Sequence, residues 1–211
     1  MLIGVGLGPG DPELLTLKAV NVLKNSDKVY VPGRLAKDLV APYADAEILE
    51  FPMIRDIEVL NALWKENADR VAEEARKGTV AFGLIGDPNF FSTFTHLKKV
   101  MNRHYPDVET STVPGISSIT SFAARTDVAV ESSFEVSDGS EIGYKIHLKA
   151  TQPRKIMEQL EAEGYKEFIF AERLFSGNEL IIGKKEDIPE KGNYFSIIYG
   201  KKRSRLDGSS S

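Results

Sequence analysis

Three short loops hold residue types that could handle a small ligand: Gly6-Leu7-Gly8-Pro9-Gly10-Asp11, Gly86-Asp87-Pro88 and Pro114-Gly115-Ile116-Ser117-Ser118. Glycine lets a backbone approach a bound molecule closely, because no side chain intervenes. Asp87 could accept hydrogen bonds from ribose hydroxyls or from a ligand amine, and Ser117 and Ser118 each offer a small donor and acceptor. Each loop also has a plainer reading. The first is a turn that needs glycine and proline, and the other two are helix N-caps. Three such loops after three apolar strands point to one cleft, since ligands collect at the carboxyl ends of strands in open α/β sheets.

The first loop does not carry the dinucleotide fingerprint. A G-x-G-x-x-G pattern begun at Gly4 requires glycine where Pro9 stands, and begun at Gly6 requires it where Asp11 stands. A carboxylate there would also repel a pyrophosphate from the helix N-terminus. No Lys-Ser or Lys-Thr follows the glycines, so the phosphate-binding P-loop is excluded too.

The elements that must position these loops alternate. Leu2 to Leu7 reads as a buried strand, and Glu13 to Lys24 as a helix with Leu14, Leu17, Val20 and Leu23 on its buried face. Asp11 is its expected N-cap and Pro12 its first-turn proline. Lys28 to Val31 is a second strand and Ile48 to Phe51 a short third. Ile57 to Lys77 is a long amphipathic helix ending at Gly78. The strand Thr79 to Ile85, the helix Thr93 to Arg103, the strand Val108 to Val113 and the small-residue helix Ser117 to Arg125 follow. This pattern predicts an N-terminal α/β domain, residues 1–127, built on a largely parallel sheet.

Periodicity fades between Ala129 and Gly143, where the domain boundary is placed. A C-terminal mixed α/β domain, 128–203, then holds a strand over Tyr144 to Leu148, a helix over Gln152 to Ala162 and a strand over Glu167 to Ala171. Strands over Glu179 to Ile182 and Tyr194 to Tyr199 give it a more antiparallel finish. The small polar residues of 204–211 read as a disordered tail.

Composition narrows the chemistry. The 211 residues are 42% hydrophobic and 27% charged, with a net charge of -4. Nothing is basic enough for nonspecific nucleic-acid binding. The absence of cysteine excludes disulfides, thiol catalysis and thiolate metal sites. The three histidines, His96, His104 and His147, are far apart, so no histidine-built zinc site is expected. No apolar run approaches the roughly 20 residues that span a bilayer. The N-terminus lacks the order of a signal peptide, so a cytoplasmic protein is expected.

Taken together, these residues resemble the tetrapyrrole (corrin/porphyrin) methylase family. Val5-Gly6-Leu7-Gly8-Pro9-Gly10-Asp11-Pro12-Glu13-Leu14-Leu15-Thr16-Leu17-Lys18-Ala19 is similar to that family's first signature. Leu84-Ile85-Gly86-Asp87-Pro88 and Val113-Pro114-Gly115-Ile116-Ser117-Ser118 are similar to two more. The resemblance implies a two-domain α/β methylase fold, a homodimer, and S-adenosylmethionine as methyl donor in a cleft between the domains, with S-adenosylhomocysteine as product. It implies cofactor contacts at Pro9, Ile85, Gly86, Asp87, Phe90, Ser117 and Ser118, and in the second domain at Leu148 and near Ala171.

The second strand ends Val31-Pro32-Gly33-Arg34-Leu35, where enzymes that methylate uroporphyrinogen III read Tyr-Asp-Arg-Leu. Their proposed carboxylate base is thus replaced by Gly33. This ending, with Ser92-Thr93-Phe94, resembles the branch acting at C-20 of precorrin-2 or cobalt-factor II in cobalamin biosynthesis. The implied partner is a small-molecule tetrapyrrole, with no nucleic acid and no membrane. Such a substrate carries many carboxylates, which suit Arg, and Arg34, Arg55, Arg125 and Arg173 lie near loops or element ends. Solvated surface charge is the plainer account of each. Phe90 and Phe91 could face a flat macrocycle, while Phe94 reads as core. No catalytic base is identified. Three alternatives stay open: diphthine synthase, which shares the first loop, another tetrapyrrole methylase acting at a different ring position, and a nonenzymatic tetrapyrrole-binding protein.

Overall fold

The first strand, β1 (Leu2–Gly6), is buried on both faces, as strands of parallel sheets are. Strand side chains alternate. Leu2 therefore packs with Phe82, Phe94, Leu97 and Met101 on one face, and Val5 with Ala19, Leu23, Val31 and Val40 on the other. Gly4 supplies the room that Phe94 fills, since a Cβ there would lie 2.6 Å from the Phe94 ring. The computed structural model describes residues 1–51 and 57–202, with backbone alone at 57–60. The 204–211 tail expectation and Arg55 lie outside the described residues.

β2 (Lys28–Val31), β3 (Ala46–Ile48), β4 (Val80–Leu84) and β5 (Thr110–Val113) complete a five-stranded sheet in the order β3-β2-β4-β1-β5. Every pairing in it is parallel. Helices α1 (Leu17–Asn25) and α2 (Arg34–Val40) cover one face through Ala19, Leu23, Ala36, Leu39 and Val40. Helices α3 (Ile57–Lys77) and α4 (Thr93–His104) cover the other through Val71, Ala75, Phe94, Leu97 and Met101. Helix α5 (Ser118–Thr126) follows β5. β1 and β4 are neighbours, yet they feed helices on opposite faces. That is a topological switch point, where α/β sheets open a crevice at their strand ends.

Several boundaries differ from the sequence expectation. Asp11 and Pro12 do not start the helix. Asp11 caps a single 3-10 turn, Pro12–Leu14, and α1 begins only at Leu17 with Thr16 accepting from the Ala19 N–H at 3.1 Å. Leu17 is consequently 85% exposed and not on the buried face. The third strand is Ala46–Ile48, not Ile48 to Phe51, and α2 lies in a stretch left unassigned. The strands expected at Glu179 to Ile182 and Tyr194 to Tyr199 start later, at Leu180 and Ser196.

The chain divides into two compact units, Met1–Phe134 and Glu135 onward. The second unit holds β6 (Tyr144–Leu148), α6 (Pro153–Ala162), β7 (Glu167–Glu172), β8 (Leu180–Ile182) and β9 (Ser196–Lys201). Its four strands run in the order β6-β9-β7-β8, and every pairing is antiparallel. Met157 and Leu160 of α6 pack on Phe168, Phe170 and Ile198, which fixes one face of that sheet.

Phe94 is fully buried between α4 and the first sheet. Phe94→Ala is expected to lower unfolding stability by about 3–5 kcal/mol, since a large buried ring leaves a cavity. Urea denaturation of the variant measures the loss.

A three-loop candidate active site

The three glycine loops leave β1, β4 and β5, which lie side by side as β4-β1-β5. The register brings their ends level. Gly6 pairs with Leu84, and Val5 pairs with Val113. The Gly86 N–H then donates to the Gly8 carbonyl at 2.7 Å, joining the first loop to the second. A Cβ on Gly115 would lie 2.2 Å from the Gly86 carbonyl oxygen and 2.7 Å from the Gly6 Cα. Only glycine tolerates that approach.

Asp87 joins the second loop to the third. Its side chain is buried, Oδ1 accepts the Asn89 N–H at 2.8 Å, and Oδ2 accepts the Gly115 N–H at 3.1 Å. A buried carboxylate must be paired or hydrogen-bonded, and two backbone donors meet that need. Asp87 is therefore not the N-cap of α4. Ser92 is, through a 3.3 Å bond from the Thr95 N–H to its Oγ. Ser117 takes the N-cap position of α5 with no side-chain capping bond.

Beside this clasp lies an open groove of ≈ 320 Å³, lined by Asp87, Phe90, Gly115, Ile116, Ser117 and Ile119, among others. The sequence reading placed Asp87, Phe90 and Ser117 here and missed Ile116 and Ile119. Ile116 belongs to the Pro114 to Ser118 loop and Ile119 to the expected small-residue helix, and no local pattern in the sequence sets either apart as a lining residue. Pro9 sits half-buried in the first loop, Ile85 is 36% exposed at the end of β4, and Ser118 is exposed at the start of α5. Gly86 is at φ +79°, and a Cβ on it would meet nothing within 4 Å, so that backbone faces open space.

In the second unit, Leu148, Ala171 and Arg173 line a separate cavity of ≈ 590 Å³. Arg34 is 82% exposed and paired with Asp38 at 3.0 Å, and Arg125 is exposed on α5. Phe91 is 70% exposed at φ 49°, whereas Phe94 is core. His96, His104 and His147 are all exposed, and among the described residues no group of three His, Asp or Glu side chains is placed to hold a metal.

A doubly wound parallel sheet with three tied strand-end loops, followed by an antiparallel α/β unit, defines a two-unit α/β protein with a backbone-walled site. Residues 1–173 match the family described as Tetrapyrrole (Corrin/Porphyrin) Methylases, and the chain belongs to that family. A probable cobalt-precorrin-2 C(20)-methyltransferase of Methanocaldococcus jannaschii is 41% identical over 134 residues, 59% of this chain and 56% of that protein. The chain therefore matches only about half of that relative's length. A precorrin-2 C(20)-methyltransferase of a Sinorhizobium species is 28% identical over 93% of each chain. The crystal structure of the methyltransferase CobJ shares the fold, with a TM-score of 0.52 at 16% identity, over 95% of this chain and 93% of that one.

Gly115→Ala forces its new methyl against the Gly86 carbonyl, and overpacking of this kind costs about 1–3 kcal/mol. Asp87→Ala strands two backbone N–H groups at a comparable cost of about 1–3 kcal/mol. Both variants are expected to unfold at lower urea concentration than the parent chain.

Proposed function

We propose that the chain transfers a methyl group from S-adenosylmethionine to C-20 of precorrin-2 or cobalt-factor II. The observation that carries this reading is the tied three-loop site, with its groove between a buried carboxylate, a phenyl ring and exposed backbone. It suits a cofactor gripped by main-chain groups. Proposed contacts are Pro9, Ile85, Gly86, Asp87, Phe90, Ser117 and Ser118, with Leu148 and Ala171 from the second unit.

The C-20 position is supported by the two relatives named above and by Gly33. That residue has an ordinary extended φ of 175°, and a Cβ on it would meet nothing within 4 Å. The fold does not demand glycine there, so a carboxylate is missing at a place that has room for one.

When bound, the donor supplies a sulfonium whose methyl is already activated. The chain's own residues then have to align the reactants. Asp87 fixes Gly115, the glycine loops keep the groove wall rigid, and Phe90 gives it an apolar side. Orientation of this kind is worth about 7–11 kcal/mol. C-20 of a reduced tetrapyrrole is electron-rich, so alignment carries the transfer, and the proton displaced from C-20 is released afterwards to solvent. The reading also places the chain in the cytoplasm as a homodimer. Exposed Val128, Val130 and Phe134 offer apolar surface of the kind an interface covers. Among the described residues no helix is long and apolar enough to cross a membrane.

Incubation with tritiated S-adenosylmethionine and cobalt-factor II should label the tetrapyrrole, with the methyl located at C-20 by NMR. Label on a translation factor and none on any tetrapyrrole would overturn the reading. Gly86→Arg should abolish S-adenosylhomocysteine binding in calorimetry, and unchanged binding would remove the groove from the site.

A further inference from the structure

The cavity of the second unit has a chemistry of its own. One wall is apolar, built by Leu148, Ile197 and Ala171. These three are paired side by side across β6, β9 and β7 and so share one face of the sheet. Beside that wall, at the carboxyl ends of β6 and β7, stand two cations, Lys149 and Arg173. Among the described residues no Asp or Glu lines the cavity. The neighbouring acid, Glu172, is buried, with Oε2 accepting the Asn193 N–H. Its Oε1 forms an ion pair with Arg173 Nη2 at 3.8 Å, too long for a hydrogen bond, so the guanidinium donors stay open to a closer acceptor.

Two features make the arrangement more than surface charge. The Arg173 Nε is buried and, among the described residues, has no hydrogen-bond partner. A buried donor on a permanently charged group carries an unmet desolvation cost until an acceptor arrives. Both cations also sit in the left-handed backbone region, Lys149 at φ 55° and Arg173 at φ 50°. Glycine would hold that conformation without strain. Long cations stand there instead, and backbone outliers of this kind gather at binding sites. The Tyr194 ring lies 5.3 Å from the Lys149 ammonium and lines the same cavity.

We propose that this cavity binds a carboxylate, received by the Arg173 guanidinium with Lys149 as the second charge. The guanidinium fork matches a carboxylate, whereas the ammonium acts as a point charge. The proposal rests on the methyltransferase reading, which supplies two carboxylate sources. One is the amino-acid end of the cofactor, and the other is the acidic side chains of the tetrapyrrole.

Calorimetry on the full chain separates these sources. The probes are S-adenosylhomocysteine, its analogue lacking the carboxylate, and uroporphyrin III as the tetrapyrrole acid. If the cofactor is the source, Arg173→Met weakens S-adenosylhomocysteine by roughly 10- to 100-fold and leaves the analogue and the porphyrin unchanged. If the tetrapyrrole is the source, the porphyrin alone is weakened by that factor. Arg173→Lys keeps the charge without the fork and should fall between. Lys149→Met should move the same ligand in the same direction by less, and it serves if the Arg173 variants do not fold. Unchanged affinity for both acids overturns the proposal alone, as does equal loss for the cofactor and its decarboxylated analogue. A parent chain that binds neither acid overturns the functional reading, and this proposal with it.

Discussion

The first unit depends on how closely three strand ends can approach. Gly6 and Gly115 meet at a separation that excludes a side chain on either, with the Gly86 carbonyl wedged against both. Parallel neighbours in register bring their loops to one level, so three turns must share space meant for one or two. Removing the Cβ atoms solves the crowding. It also leaves bare main chain where the loops turn outward, and that main chain is available to a ligand.

Close approach alone would leave the loops free to slide. Asp87 prevents this by spending one carboxylate oxygen on its own loop and the other on the β5 loop. The arrangement is stable because the carboxylate is buried and both oxygens meet N–H donors, since a charged acceptor makes a stronger bond than a neutral one. The Asp87 side chain, for which the sequence allows a ligand contact or a helix cap, ties two walls of the groove, and the cap falls to Ser92. Its remaining lone pairs stay available, so tie and contact are compatible roles.

Much of the first unit was legible because periodicity dominates there. Helix α3 matches its expected span, from Ile57 to the lysine before Gly78, and the residues of β4 are buried throughout, as their apolar run implied. Errors came where local chemistry competes. Asp11-Pro12 carries every sign of a helix start, yet Thr16 offers a second cap five residues on. The pair closes only one turn before the chain re-enters at Leu17. Helix α2 carries little signal in the sequence, because it is short and follows Pro32-Gly33, which reads as punctuation. The loops of the site were legible as glycine motifs. Their ties were not, since the bond from Gly115 to Asp87 spans 28 residues and no local pattern encodes it.

The two units meet the problem of a ligand wall in opposite ways. In the first, the left-handed residues at the joined ends of the β1 and β4 loops are Gly8 and Gly86, and side chains withdraw. In the second, left-handed residues at the strand ends are Lys149 and Arg173, and side chains are pushed forward. A glycine wall presents shape and backbone polarity, with the Asp87 carboxylate held in it by two backbone N–H groups. A wall of cations recognises charge and is costly to leave unpaired when one of its donors is buried. Among the described residues that line either cavity, Asp87 is the one carboxylate, and both of its oxygens accept from backbone N–H groups, so it is engaged in holding the groove together.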